Sequence, residues 1–136
     1  MKGCKIIEGR ESSYEETVLR SEFLSAMELN GTTILEPLDN QVFLDLDSDE
    51  DYEEFKVRLN KFKEMTGLDN ITFDERPSAS GLPHRHVILD FPFDLGDYER
   101  LAYQFAFNSD PTREFLTLCR IVNAEDRPNI LFRKEE

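Results

Sequence analysis

Between Gln41 and Phe62 the hydrophobic period of the chain changes once, with no linker between. Val42, Leu44 and Leu46 alternate with Phe43, Asp45 and Asp47, the two-residue period of a strand with one apolar face. Ser48 follows, and Tyr52, Phe55, Leu59 and Phe62 then recur at three- and four-residue steps, the period of an amphipathic helix. A strand feeding directly into a helix buries both apolar stripes by laying the helix on the sheet, which directs the chain to layered folds of helices and strands. The predicted helix runs from Asp49 to Thr66. Ser48 caps it, Asp49, Glu50 and Asp51 suit its positive N-terminus, and Gly67 stops it. Lys56, Lys61 and Lys63 lie on its wet side.

The flanking sequence yields seven more elements. Ser12 and Ser13, each three residues before Glu15 or Glu16, read as capping boxes for a helix from about Tyr14 to Leu29, ended by Asn30-Gly31. Thr32–Leu35 reads as a strand, Pro37 to Asn40 as a turn, and the strand from Gln41 as its hairpin partner. Ile71–Phe73 is a short strand, Arg76 to Pro83 a loop, and His84–Phe91 a strand. Asp97 opens a helix from Tyr98 to about Phe107 with Leu101, Ala102 and Phe105 inward. Asp110-Pro111 opens the next, with Phe115, Leu118 and Val122 as its apolar face. Asn129–Phe132 closes the chain as a strand. The expected order is α-β-β-α-β-β-α-α-β. It implies one α+β domain over residues 1–136, with a mostly antiparallel sheet and helices on one face. The core spans about 32–133, and the N-terminal helix about 14–29.

The chain has 136 residues and a formal charge of −13, which disfavours coating of nucleic acid or of an anionic membrane. The charge is uneven. Residues 45–54 hold seven acids and no base, while residues 55–66 hold four bases and one acid. The acidity is concentrated where the strand meets the helix, so the bulk charge does not exclude a nucleic-acid enzyme with an acidic metal site. No apolar run approaches the roughly 20 residues of a membrane span. Cys4 and Cys119 are the only cysteines and read as reduced thiols in the cytoplasm.

Two clusters could carry chemistry. Asp45 and Asp47 stand two residues apart on one strand face, where their charges repel unless solvated or bridged by a cation. Mg²⁺ or Mn²⁺ suits such oxygen donors. The second cluster is Ser78-Ala79-Ser80-Gly81-Leu82-Pro83-His84-Arg85-His86. A Ser/Gly loop can offer backbone N–H groups to phosphate, and Arg85, His84 or His86 could add charge, ligate a metal or move a proton. Alternation puts His84, His86, Ile88 and Asp90 on one face and Arg85, Val87, Leu89 and Phe91 on the other.

A strand with Asp-x-Asp, a helix, a short strand, a Ser-Gly loop and a His-bearing strand, in that order, resembles the archaeo-eukaryotic primase (prim-pol) superfamily. The resemblance covers about 50 residues, from Val42 to Leu89. It implies a reduced RRM-like or ferredoxin-like palm that transfers nucleotides in the replication of a virus, plasmid or cell. Asp45 and Asp47 would hold Mg²⁺ or Mn²⁺. Ser80, Gly81, Arg85 and either His84 or His86 would meet the triphosphate, with a DNA or RNA primer–template and a replication protein as partners. The family has a third acidic residue on a later strand. Asp90 is on the right face but comes early, and Asp94, Asp97, Asp110 and Asp126 fall in predicted loops or caps.

Two other classes compete. His84-Arg85-His86 also resembles the His-x-His metal motif of rolling-circle nickases, for which Tyr98 or Tyr103 would be the nucleophile. A non-enzymatic acidic adaptor, replication accessory factor or nucleic-acid mimic would use the acid run 45–54 as a docking face. Arg113, Arg120, Arg127 and Arg133, with Lys134, could in part reach a template or triphosphate, but most are expected on wet faces of the closing elements.

Overall fold

A computed structural model describes residues 14–78 and 80–134, with side chains for residues 22–78 and 80–133. The capping-box serines, Cys4, and the side chains of Val18 and Leu19 lie outside the described residues. The elements are α1 (Tyr14–Leu29), β1 (Thr32–Leu35), β2 (Gln41–Leu46), α2 (Asp49–Thr66), β3 (Thr72–Pro77), β4 (Arg85–Asp90), α3 (Asp97–Ala106), α4 (Pro111–Val122) and β5 (Leu131–Lys134). Their types and order match the periodicity. The largest boundary difference is β3, which runs on to Pro77 because pairing with β4 holds its polar second half extended. No helix among the described residues is long and apolar enough to cross a membrane.

The strands form two antiparallel sheets. β4 lies between β2 and β3 and is antiparallel to both. β2-α2-β3 with β4 inserted is a split β-α-β unit. The expected hairpin of β1 with β2 does not form. β1 pairs instead with β5, Thr32 opposite Lys134 and Leu35 opposite Leu131. The connection between β1 and β2 wraps around a buried cation. Arg100 on α3 is 5% exposed and donates to the carbonyls of Gln41 at 2.7 Å, Asp39 at 2.9 Å and Leu95 at 3.2 Å. The connection does close a turn, with the Gln41 N–H donating to the Leu38 carbonyl at 2.9 Å, but the hydrogen bonds from Arg100 anchor that turn to α3.

One face of the three-stranded sheet makes the core. Val42, Leu44, Leu46, Val87 and Leu89 pack with Phe55 and Leu59 of α2, and with Phe107, which follows α3. Phe62 meets Tyr103 edge-on at 5.6 Å, so α2 and α3 cover the same face. Helix α2 starts and stops as expected. Ser48 Oγ accepts the Asp51 N–H, and Gly67 takes φ 75°, a left-handed conformation that suits glycine.

The chain then crosses the outer edge of β2. Asp45 N–H donates to Ser109 Oγ at 2.9 Å, and Asp110 N–H donates to the Asp45 carbonyl at 2.7 Å. These bonds cap the edge where a further strand could have paired, and they carry α4 to the second face of the sheet. Helices thus stand on both faces rather than one.

Helix α4 does not bury the predicted stripe. Phe115 is 59% exposed and stacks edge-on against Phe105, whereas Glu114 and Thr117 are buried. A polar network explains the rotation. Glu114 accepts from Arg113 at 2.6 and 2.9 Å and from Gln104 Nε2 at 2.8 Å, while Gln104 Oε1 accepts from Asn129. A fully satisfied network of this kind is stable only as a whole, and it sets the face α4 presents. The inward set predicted for α3 changes with it, since Arg100, Leu101 and Gln104 are buried while Ala102 is exposed.

Candidate metal centre

The second face of the sheet is covered at its Gln41 end and hollow at its Asp45 end. Phe43 is 1% exposed. Two residues further on, a cavity of about 820 Å³ opens, lined by Asp45, Asp47, Ser78, Ser80, His84 and His86 from the sheet side. Helix α4 supplies Arg113, Leu116 and Arg120 to its opposite wall, while Leu24 of α1 and Phe132 of β5 close the apolar end.

The strand register makes the polar floor. Asp45 lies directly opposite His86 in the β2–β4 pairing, so both side chains rise from the same pleat. His86 Nε2 is 3.8 Å from Asp45 Oδ1, and His84 Nδ1 is 3.4 Å from Asp47 Oδ1. The expected convergence of the two Asp-x-Asp carboxylates with the two histidines is therefore present, and both histidines take part.

A third carboxylate joins them. Asp45, Asp47 and Asp110 each offer an oxygen within 4.8 Å of the others. Asp110 reaches the cluster because its own N–H is bonded to the Asp45 carbonyl. It also caps α4, accepting the Thr112 N–H at 3.3 Å, so the positive end of that helix faces the acidic group. Asp90 does not come near. It pairs with Gln41 at the opposite end of β4 and accepts from Gln41 Nε2 at 3.1 Å, about 13 Å along the strand from His86.

Electrostatics favour an uncharged or cation-filled floor. Burial pushes the Asp45 carboxyl up to about 6, and Asp47, Asp110 and Glu114 push the same way, while Arg113 opposes them. Burial lowers His86 to about 4, with Arg113 and Arg133 adding to the effect. His86 is thus neutral near pH 7, and at 3.8 Å its contact with Asp45 is neither an ion pair nor a hydrogen bond. Three carboxylates beside a neutral imidazole fit a hard divalent cation, which would relieve the mutual repulsion of the acids.

Several residues expected at the site are elsewhere. Arg85 lies on the core face, 2.6 Å from Asp49 Oδ1 and 4.7 Å over the Tyr52 ring. Gly81 does not line the cavity, and its N–H is bonded to the Ser78 carbonyl at 2.8 Å. Ser80 lines the cavity with its hydroxyl 2.8 Å from that of Ser78. Tyr103 packs in the core against Phe91 and Phe107, and Tyr98 is half-exposed on α3. No tyrosine lines the cavity among the described residues. Arg127 is not on a simple wet face, since it bridges Glu28 and Glu36.

Sequence reasoning set Asp110 aside as a residue of a loop or cap, and passed over Leu116 and the apolar wall. Asp110 carried a signal only as a helix cap. Its approach to Asp45 depends on how the chain crosses a sheet edge, which no local pattern encodes. No family model, no curated protein and no solved structure matches the chain, so a functional reading rests on this geometry.

Proposed function

We propose that the chain is a metal-dependent nucleotidyl-transfer domain, primase- or polymerase-like, active or degenerate, that works in DNA replication in the cytoplasm. The observation that carries the reading is the meeting of Asp45, Asp47 and Asp110 within 4.8 Å of one another, in the same cavity as His84 and His86. Asp110 fills the role of the third acid that the sequence left open, from a helix cap rather than from a strand.

A Mg²⁺ or Mn²⁺ ion on these carboxylates would supply Lewis acidity for an attacking hydroxyl and charge stabilisation at the leaving phosphate. The chain's own residues do the rest. The three aspartates hold and orient the cation. Neutral His86 can accept a proton at a ring nitrogen, and His84 stands at the half-exposed mouth beside Asp47. The cavity volume is in the range of pockets that take small molecules the size of a nucleotide.

The test has two parts. Manganese titration of the ¹⁵N-labelled protein should broaden amide signals around Asp45, Asp47, His86 and Asp110, and Asp47→Asn should abolish the effect. Incorporation of labelled nucleotides on a primed DNA or RNA template then decides between an active and a degenerate domain. Broadening spread over the acidic face of α2, with none at His86, would sink the metal reading and favour an acidic adaptor. The nickase reading lacks a tyrosine in the cavity among the described residues.

A further inference from the structure

We infer that Arg120 holds the phosphate group of the ligand that enters this cavity, and that the apolar part of that ligand lies against Phe132 and Phe23. The inference rests on the proposed nucleotidyl-transfer reading for the identity of the site, but not for the anion contact itself.

Few cations and N–H groups around the cavity are available to an incoming anion. Four N–H groups of the Ser78–His84 loop, the expected phosphate cradle, are spent internally. Ser78 N–H donates to the His84 carbonyl, Gly81 N–H to the Ser78 carbonyl, His84 N–H to the Gly81 carbonyl, and Ser80 N–H to Ser78 Oγ. Arg85 is on the other face of the sheet, paired with Asp49. Arg113 does line the cavity, but its terminal nitrogens already donate to Glu114, Asn129 and the Ile130 carbonyl.

Arg120 differs. It lies two turns beyond Arg113, on the same wall of the cavity. No hydrogen bond or ion pair holds its guanidinium among the described residues. Glu125 acts on it electrostatically without closing a pair, and burial lowers its pKa. A partly desolvated cation with no fixed partner is costly to keep, and an incoming anion removes that cost. The planar guanidinium fork matches phosphate oxygens two at a time. A phosphate is favoured over other anions because the facing carboxylates suit the divalent cation that phosphates bring with them.

The remaining wall is apolar. Leu24 and Leu116 are joined by Phe132, and by Phe23, which meets the Phe132 ring edge-on at 6.4 Å and is 55% exposed. Two aromatic rings left open at a cavity edge offer a stacking surface for a flat group. The cavity therefore has three stations: carboxylates on the floor, a cation on the α4 wall and rings at the far end.

Phenyl phosphate and inorganic pyrophosphate, each with Mg²⁺, are suitable probes. The whole chain, labelled with ¹⁵N at arginine, is titrated while the Arg Nε–H signals are followed. Both probes should shift the Arg120 signal saturably. Followed through the Arg113 signal on the same cavity wall, Arg120→Gln should weaken both by about tenfold or more, and Arg120→Lys, which keeps the charge and loses the fork, should weaken them less. Phe132→Ala should weaken phenyl phosphate and leave pyrophosphate unchanged. Unchanged affinity in a folded Arg120→Gln or Arg120→Lys variant overturns the inference. So does the absence of any saturable shift, or a shift confined to the amides of residues 78–84. If Arg120 responds to phosphate while Mn²⁺ broadens nothing near Asp45, the anion site stands and the nucleotidyl-transfer reading falls.

Discussion

Asp110 donates its backbone N–H to the carbonyl of Asp45 at 2.7 Å, and this single bond brings a helix cap into a cluster of strand carboxylates. Ser109 completes the junction by accepting the Asp45 N–H. The third acid of the candidate centre is thus placed by main chain, and its side chain also caps α4 by accepting the Thr112 N–H. Asp110→Asn should weaken Mn²⁺ binding by about tenfold, roughly 1.4 kcal/mol, while leaving the fold intact. Ser109→Ala should instead lower stability by about 1–2 kcal/mol, because it leaves the Asp45 N–H unpaired. Urea unfolding and Mn²⁺ line broadening, run on both variants, separate the two effects.

Acid and base on the cavity floor act against each other as pH changes. The folded Asp45 carboxyl is raised from 3.8 to about 6, so the folded state holds its proton longer than the unfolded chain does. Asp45 therefore costs stability as pH rises from about 4 through 6. Relative to the wild type, Asp45→Asn should gain stability over that window, on the order of 2 kcal/mol at its upper end. His86 is lowered from 6.5 to about 4. Its contribution is present above 6.5 and is lost as pH falls towards 4, and His86→Gln should remove that loss. Unfolding free energies measured between pH 4 and 8 for both variants check the two signs. Mn²⁺ affinity should rise over the same range, since the cation competes with the Asp45 proton.

Arg113 and Glu114 form an ion pair whose acid is fully buried. Arg113→Met strands that carboxylate and should cost about 3–5 kcal/mol. The double change Arg113→Met with Glu114→Gln keeps the hydrogen bond to Gln104 and removes the stranded charge, so it should recover most of the loss. If both variants unfold at the same urea concentration, the pair does not act as described.

Arg85 offers a control on the assignment of faces. It pairs with Asp49, whose side chain is 74% exposed, on the far side of the sheet from the cavity. Arg85→Gln should leave Mn²⁺ and phosphate binding unaltered, whatever it costs in stability through lost contacts with Glu75 and Tyr52. A loss of either ligand in this variant would mean that Arg85 itself reaches the site.

What the sequence determined by itself is local. Alternation from Val42 to Asp47 put Asp45 and Asp47 on one face, and the same rule put both histidines on one face of β4, because strand side chains alternate whatever surrounds them. Ser48 and Gly67 marked the ends of α2 through backbone chemistry that acts within a few residues. The helices and strands were legible in type and order for that reason. Even Arg85 was assigned to the face opposite His86, although phosphate contact was expected of it.

The tertiary structure decided which local features meet. β1 pairs with β5 rather than β2, and Arg100 anchors the turn between β1 and β2 to α3. Helix α4 turned Glu114 inward and Phe115 outward because the buried network with Gln104 and Asn129 outweighed a hydrophobic stripe. Asp110 reached Asp45, and Arg120 reached the cavity, only because the chain crosses the β2 edge at Ser109. Hydrophobic period reports what each segment can bury. Which carboxylates converge depends on long-range hydrogen bonds between segments that carry no trace of one another in sequence.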